Sequence, residues 1–113
     1  MATTRPNILL IMPDQMRGDC LQLAGHPVLL TPNMDEIGRQ GAFFTHAYTT
    51  CASCIPARRS LLTGQIPASH GMVGYVEGVP LTAPTLPQCL QDGGYATAIS
   101  GRYMHQSPYE ESY

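Results

Sequence analysis

A chain of 113 residues with 43% hydrophobic content has the material for one small domain with a modest core, which excludes a disordered tail. A net charge of -2, from 6 Lys+Arg against 8 Asp+Glu with no long run of either sign, leaves no electrostatic footprint for nucleic acid or an anionic membrane. No apolar stretch reaches the roughly 18 residues of a membrane span, and the first apolar run lies too near Met1 to be a signal-peptide core. The chain as written is therefore expected in the cytoplasm, or in the periplasm or outside the cell if a leader has been removed. Cys20, Cys51, Cys54 and Cys89 are unevenly spaced and read as reduced thiols rather than a disulfide framework.

In chain order, "RPNILLIMPDQ" runs five apolar residues without alternation and stops at Pro13, the pattern of a strand buried on both faces. "TPNMDEIGRQGAFFTHAY" starts a short helix at Pro32 and Asn33, carries it to about Arg39, caps it at Gly41 and continues into a second strand. In "CASCIPARRSLLTG", Pro56 fits the first turn of a helix that ends at Gly64, with Cys54 at its N-terminus. From Gln65 to Pro84, scattered glycines and prolines predict a long irregular loop, unusual unless it serves a site. "TLPQCLQDGGYATAIS" gives a helix from about Thr85, a stop at Gly93-Gly94 and a third strand from Tyr95 to about Ser100. The alternation points to an α/β layer with a largely parallel sheet. Three such strands would leave both sheet edges open, so the chain reads as part of a larger domain.

Ligands in open α/β sheets gather beyond the carboxyl ends of the strands. Asp14 and Gln15 follow the first strand and offer hard oxygen donors suited to Ca²⁺ or Mg²⁺. Alone, such a pair after a strand is more often a turn with a solvated Asp. Cys54 at a helix N-terminus meets partial positive charge, and Arg58, four residues on, shares its helix face; together they would form an anion site with a nucleophile backed by a guanidinium. The plainer alternative is a buried thiol beside a surface cation. As a Cys-x-x-Cys pair, Cys51 and Cys54 fit neither a zinc ribbon, which needs a second pair, nor a redox motif opening a helix directly after a strand. The four histidines stand too far apart for a zinc site, and His26 and His46 read as structural.

"CIPARRSLLTG" resembles the sulfatase signature, Cys-x-Pro-Ser/Ala-Arg followed by a short helix and Leu-Thr-Gly, with Cys54, Pro56, Ala57, Arg58, Leu62, Thr63 and Gly64 in register. "RPNILLIMPDQ", "TPNMDEIGRQGAFFTHAY" and "GGYATAISGR" resemble, in the same order, the family's first strand and metal loop, its Thr-Pro-Asn-x-Asp helix, and the strand leading to its Gly-Lys-Trp-His element. The resemblance implies the N-terminal part, residues 1–113, of an alkaline-phosphatase-like catalytic domain, an α/β fold with a mixed, largely parallel sheet flanked by helices.

It further implies that a formylglycine-generating enzyme converts Cys54 to an aldehyde that hydrates to a geminal diol. One diol oxygen, activated beside a divalent cation, attacks sulfur and releases the alcohol; the other hydroxyl then collapses to the aldehyde and expels sulfate. Pro56 starts the helix and serves recognition by the modifying enzyme. The metal ligands implied are Asp14, Gln15 and residue 54, holding Ca²⁺ with Mg²⁺ or Mn²⁺ as alternatives. Gln15 stands where many members carry a second Asp, Arg102 replaces a sulfate-binding Lys, and His105 lies one residue later than the family's His. Arg58 and His105 are the implied catalytic partners of Cys54, and Arg102 the substrate-binding cation. The substrate implied is a sulfate ester, with sulfated carbohydrate one candidate. The family's catalytic domain is several times longer and its later strands bring further ligands, so this chain alone is expected to be inactive. Two other readings are a phosphonate monoester or phosphodiester hydrolase of the same superfamily, since an Asp-Gln loop occurs there, and a non-catalytic fragment with an exposed sheet edge.

Overall fold

The computed structural model describes residues 5–76 and 78–101. It contains helices α1 (Pro32–Gln40), α2 (Cys54–Thr63), α3 (Pro67–His70) and α4 (Leu86–Asp92), and no strand among the described residues. The chain divides into two compact units, Met1–Ala47 and Tyr48–Tyr113.

In the first unit, α1 begins on Pro32, whose fixed φ suits a first helical position, and closes where the Gly41 N–H reaches the Ile37 carbonyl at 3.0 Å. Its buried residue is polar: Asp35 is fully inaccessible. Asp35 Oδ1 accepts hydrogen bonds from the Thr31 hydroxyl at 2.8 Å and the Leu23 N–H at 3.1 Å. Thr31 Oγ1 accepts in turn from the Gln22 N–H at 2.9 Å. Two successive backbone donors of a preceding turn are thus held by two side chains, Thr31 before the helix and Asp35 in its first turn. Gly25, at φ 88, gives that turn its left-handed residue. Gly38 lets the turn approach α1, since a Cβ there would lie 2.6 Å from Leu23 Cδ2. His26 has the structural role its setting predicts: Nδ1 accepts the N–H groups of Val28 and Leu29.

The second unit is organised on α2, against which both α3 and α4 pack. Pro56 lies in the first turn, where no N–H is required, and Gly64 ends the helix at φ 67 with its N–H on the Ser60 carbonyl. The buried apolar residues of this unit, among the described residues, are Ile55, Pro56, Leu62 and Met72. Within the stretch that composition predicts as wholly irregular, Pro67 and the left-handed Gly71 bracket the single-turn helix α3. Helix α4 opens on a reciprocal capping box: the Gln88 side chain accepts the Thr85 N–H at 2.9 Å, and Thr85 Oγ1 accepts the Gln88 N–H. It ends in the paired bonds Gly94 N–H to Gln91 and Tyr95 N–H to Leu90, with Gly94 at φ 81. The stop expected at Gly93-Gly94 is present, with the second glycine supplying the left-handed residue.

The expected sheet differs most. Residues 8–12, 42–48 and 95–100 carry the strand patterns, yet none is in a ladder among the described residues. Ile8 to Met12, predicted as buried on both faces, are instead between 44% and 82% exposed. A strand is stabilised by cross-strand pairs and by cover on its faces, and local pattern supplies neither.

Two substitutions test the polar locks. Asp35→Ala should cost about 2 to 3 kcal/mol, because it strands the Leu23 N–H and the Thr31 hydroxyl. Thr85→Ala should cost about 1 kcal/mol through the lost cap. Both residues are buried, so the expected difference rests on the number of donors stranded; urea unfolding followed by the helical circular dichroism signal reads both, and equal costs would show that the two donors at Asp35 weigh no more than one lost cap.

Candidate active site

The approach to α2 is shaped by Cys51, not by a cysteine pair. Its carbonyl accepts the Thr49 hydroxyl at 2.9 Å, and its sulfur accepts the Ser53 N–H at 3.4 Å. All four cysteines are free thiols. Ser53, the residue before the helix, makes no side-chain cap, so the positive end of α2 is not neutralised by its own N-cap. Cys54, the first helical residue, is exposed at that end. Arg58, one turn on, is only 6% exposed, so the guanidinium expected behind the thiol is buried rather than a surface cation.

Tyr75, which the sequence reading did not single out, reaches the same spot: its hydroxyl and the Cys54 sulfur are hydrogen-bonded. Tyr75 is the central residue of a tight turn closed by the Val76 N–H on the Gly74 carbonyl at 3.0 Å. The loop's unusual length was the available signal, since loops of that size tend to serve sites.

Arg59 and His70 hold the surroundings. Arg59 is 1% exposed and donates to the carbonyl of Val79 at 2.8 Å and to that of Pro80. His70 is also buried; Nδ1 accepts the Met72 N–H at 3.2 Å, and Nε2 lies 3.0 Å from Ser60 Oγ on α2. Burial and, after it, the charge of Arg59 hold His70 below the usual histidine range. The second unit also has an open groove of about 380 Å³, lined by Leu62, Pro87, Gln88, Gln91, Thr97 and Ile99 among others. Its lining carries no titratable side chain.

Asp14 and Gln15 belong to the first unit and are exposed. Gln15 has φ 56, in the left-handed region that a residue with a Cβ enters at a cost of about 1 to 2 kcal/mol. The pair offers the oxygen chemistry a hard cation takes, but only two of the six to eight donors typical for Ca²⁺. No group of three His, Cys, Asp or Glu side chains among the described residues could hold a metal. Arg102 and His105 lie outside the described residues.

The family model described as Sulfatase matches residues 6–113. Over 105 residues the chain is 46% identical to an arylsulfatase of Clostridium perfringens (strain 13 / Type A), covering 92% of this chain and 22% of that protein. It is 39% identical to arylsulfatase A of Bos taurus, covering 90% and 21%. It is 35% identical to a choline-sulfatase of Rhizobium meliloti (strain 1021), covering 93% and 20%. The chain thus spans about a fifth of the length of these relatives. No solved structure matches it. With the signature from Cys54 to Gly64 on one helix and the family match running nearly end to end, the chain belongs to the sulfatase family.

Proposed function

We propose that this chain is the nucleophile-bearing part of a sulfuric ester hydrolase, with Cys54 the site of conversion to formylglycine. The observation that carries the reading is the placement of Cys54: exposed, first in a helix whose positive end its N-cap leaves uncapped, with Arg58 one turn behind. A sulfate ester becomes more negative at its oxygens as sulfur is attacked, and fixed positive charge at that position stabilises the change.

Each residue then has a distinct task. The hydrated aldehyde at position 54 attacks sulfur through one oxygen, the S–O bond to the alcohol breaks, and the alcohol leaves with a proton. The second hydroxyl gives up its proton, the carbonyl re-forms, and sulfate departs. Arg58 supports the accumulating charge, Arg102 holds the sulfate through its planar fork, and His105 is the acid–base partner. Asp14 and Gln15 are the proposed protein ligands of a divalent cation, Ca²⁺ first, which when bound would polarise the sulfate and lower the pKa of a nearby hydroxyl. The partners are a formylglycine-generating enzyme and a sulfate ester, with sulfated carbohydrate one candidate class. The finer fold reading, an alkaline-phosphatase-like sheet containing residues 8–12, 42–48 and 95–100, is supported by the exposed apolar side chains along 8–12. Asp14, Gln15 and one oxygen at residue 54 would leave a Ca²⁺ under-coordinated, so the chain by itself is proposed to be inactive.

The Asp-Gln pair, Asp14 and Gln15, favours one second reading: hydrolysis of a phosphonate monoester or phosphodiester at the same site.

Mass spectrometry of the peptide containing Cys54, after co-expression with a formylglycine-generating enzyme, should show the loss of mass for thiol-to-aldehyde conversion at Cys54 and none at Cys51. Unmodified Cys54 throughout would remove the proposed nucleophile. In a chain extended to the length of its relatives, Cys54→Ala should lower aryl sulfate turnover by about a thousandfold or more, as loss of a covalent nucleophile does. Faster turnover of the matched aryl phosphonate by the unsubstituted enzyme would favour the second reading.

A further inference from the structure

His70 is a buried ionisable group that the proposed chemistry does not use. It is the last residue of α3, and its two ring nitrogens face different parts of the second unit: Nε2 meets Ser60 on α2, and Nδ1 meets the backbone of Met72. The Met72 N–H can only donate, so Nδ1 must be the acceptor and the neutral ring must carry its proton on Nε2. Nε2–H then donates to Ser60 Oγ. In this tautomer Nε2 cannot take a proton from Ser60, which excludes reading the pair as a nucleophile and its base.

Met72 is fully buried, and three residues later Tyr75 hydrogen-bonds Cys54. The bond at Nδ1 therefore anchors the backbone at Met72, the start of the four-residue segment 72–75 that ends on the phenol. We propose that His70 is a positioning residue for the active site: by joining Ser60 of α2 to the backbone of Met72, it holds Tyr75 at residue 54. The role assigned to residue 54 rests on the sulfatase reading above, whereas the bridge itself does not.

A protonated ring would present a second N–H to the Met72 N–H and lose that bond. The charged neighbours reinforce this: α2 brings Arg59 toward the ring, with Arg58 on the same helix, and α2, α3 and residues 71–76 contain no acidic residue to stabilise an imidazolium. The Pro56 backbone faces the ring and favours the charged form, but desolvation and Arg59 outweigh it. The sign follows. A histidine held below its unfolded value, about 6.5, contributes stability that is fully present above that value and is lost as pH falls through the lower folded value.

The test uses the 113-residue chain, with ¹⁵N-labelled histidine followed by nuclear magnetic resonance from about pH 8 down to about pH 4. The expected result is an Nε2–H tautomer for His70 with a midpoint below the ordinary value. On the same midpoint, Met72 amide exchange, corrected for its intrinsic pH dependence, should accelerate about five- to tenfold, and the Overhauser contact between the Tyr75 ring and the Cys54 β protons should weaken. The α4 amides should keep their protection. His70→Gln should abolish the pH dependence of that contact. An Nδ1–H tautomer, a midpoint at or above the ordinary value, a Tyr75–Cys54 contact indifferent to His70 titration, or simultaneous loss of all protection would each overturn the assignment. Should the variant fail to fold, the titration of the unsubstituted chain decides. Failure of Cys54 conversion, which would count against the sulfatase reading, leaves every one of these readouts unchanged.

Discussion

A guanidinium cannot be removed from water without acceptors, and Arg59, 1% exposed, makes that requirement the constraint on which the second unit depends. Its donors reach the Val79 and Pro80 carbonyls, about twenty residues further along the chain, so an irregular segment is tied to the side of α2. Arg58 is buried on the same helix. With two cations among its buried side chains, α2 is not an ordinary amphipathic helix with an apolar stripe. The route of the chain around it is set by where carbonyl oxygens are required.

The same economy recurs in the first unit. Asp35 and Thr31 gather the backbone donors of Gln22 and Leu23, and α1 buries a carboxylate where a core helix would bury leucine. Apolar side chains that would normally supply a core, those of Ile8 to Met12 above all, remain open to solvent among the described residues. The described structure is thus held by directional polar contacts, which specify geometry more sharply than area burial because each has one satisfied arrangement.

For the candidate site, this places the precise geometry around α2. The exposed Cys54, the phenol of Tyr75 and the histidine two residues before Met72 form one connected set within the second unit. Family membership supplies the chemistry proposed for that set, while the local contacts account for how the side chains are held. The unusual backbone of Gln15, in the first unit, marks the other place where conformation departs from what local energetics favour.

Sequence alone determined the features that depend on nearest neighbours along the chain. The helices at Pro32, Cys54 and Thr85 begin and end close to where proline, glycine and the Thr85–Gln88 pair place them, because caps and fixed φ values are local physics. The signature from Cys54 to Gly64 was legible for the same reason, as one helix of fixed spacing. Tertiary structure alone decided the rest. Three strand-like segments found no ladder among the described residues, since pairing needs a partner that no local pattern supplies. The meeting of Tyr75 with Cys54, of His70 with Ser60 and of Arg59 with Val79 joins residues ten to twenty-one positions apart; burial demands partners for Arg59 and His70, and the Tyr75–Cys54 contact, which is exposed, exists only because the chain has folded back on itself.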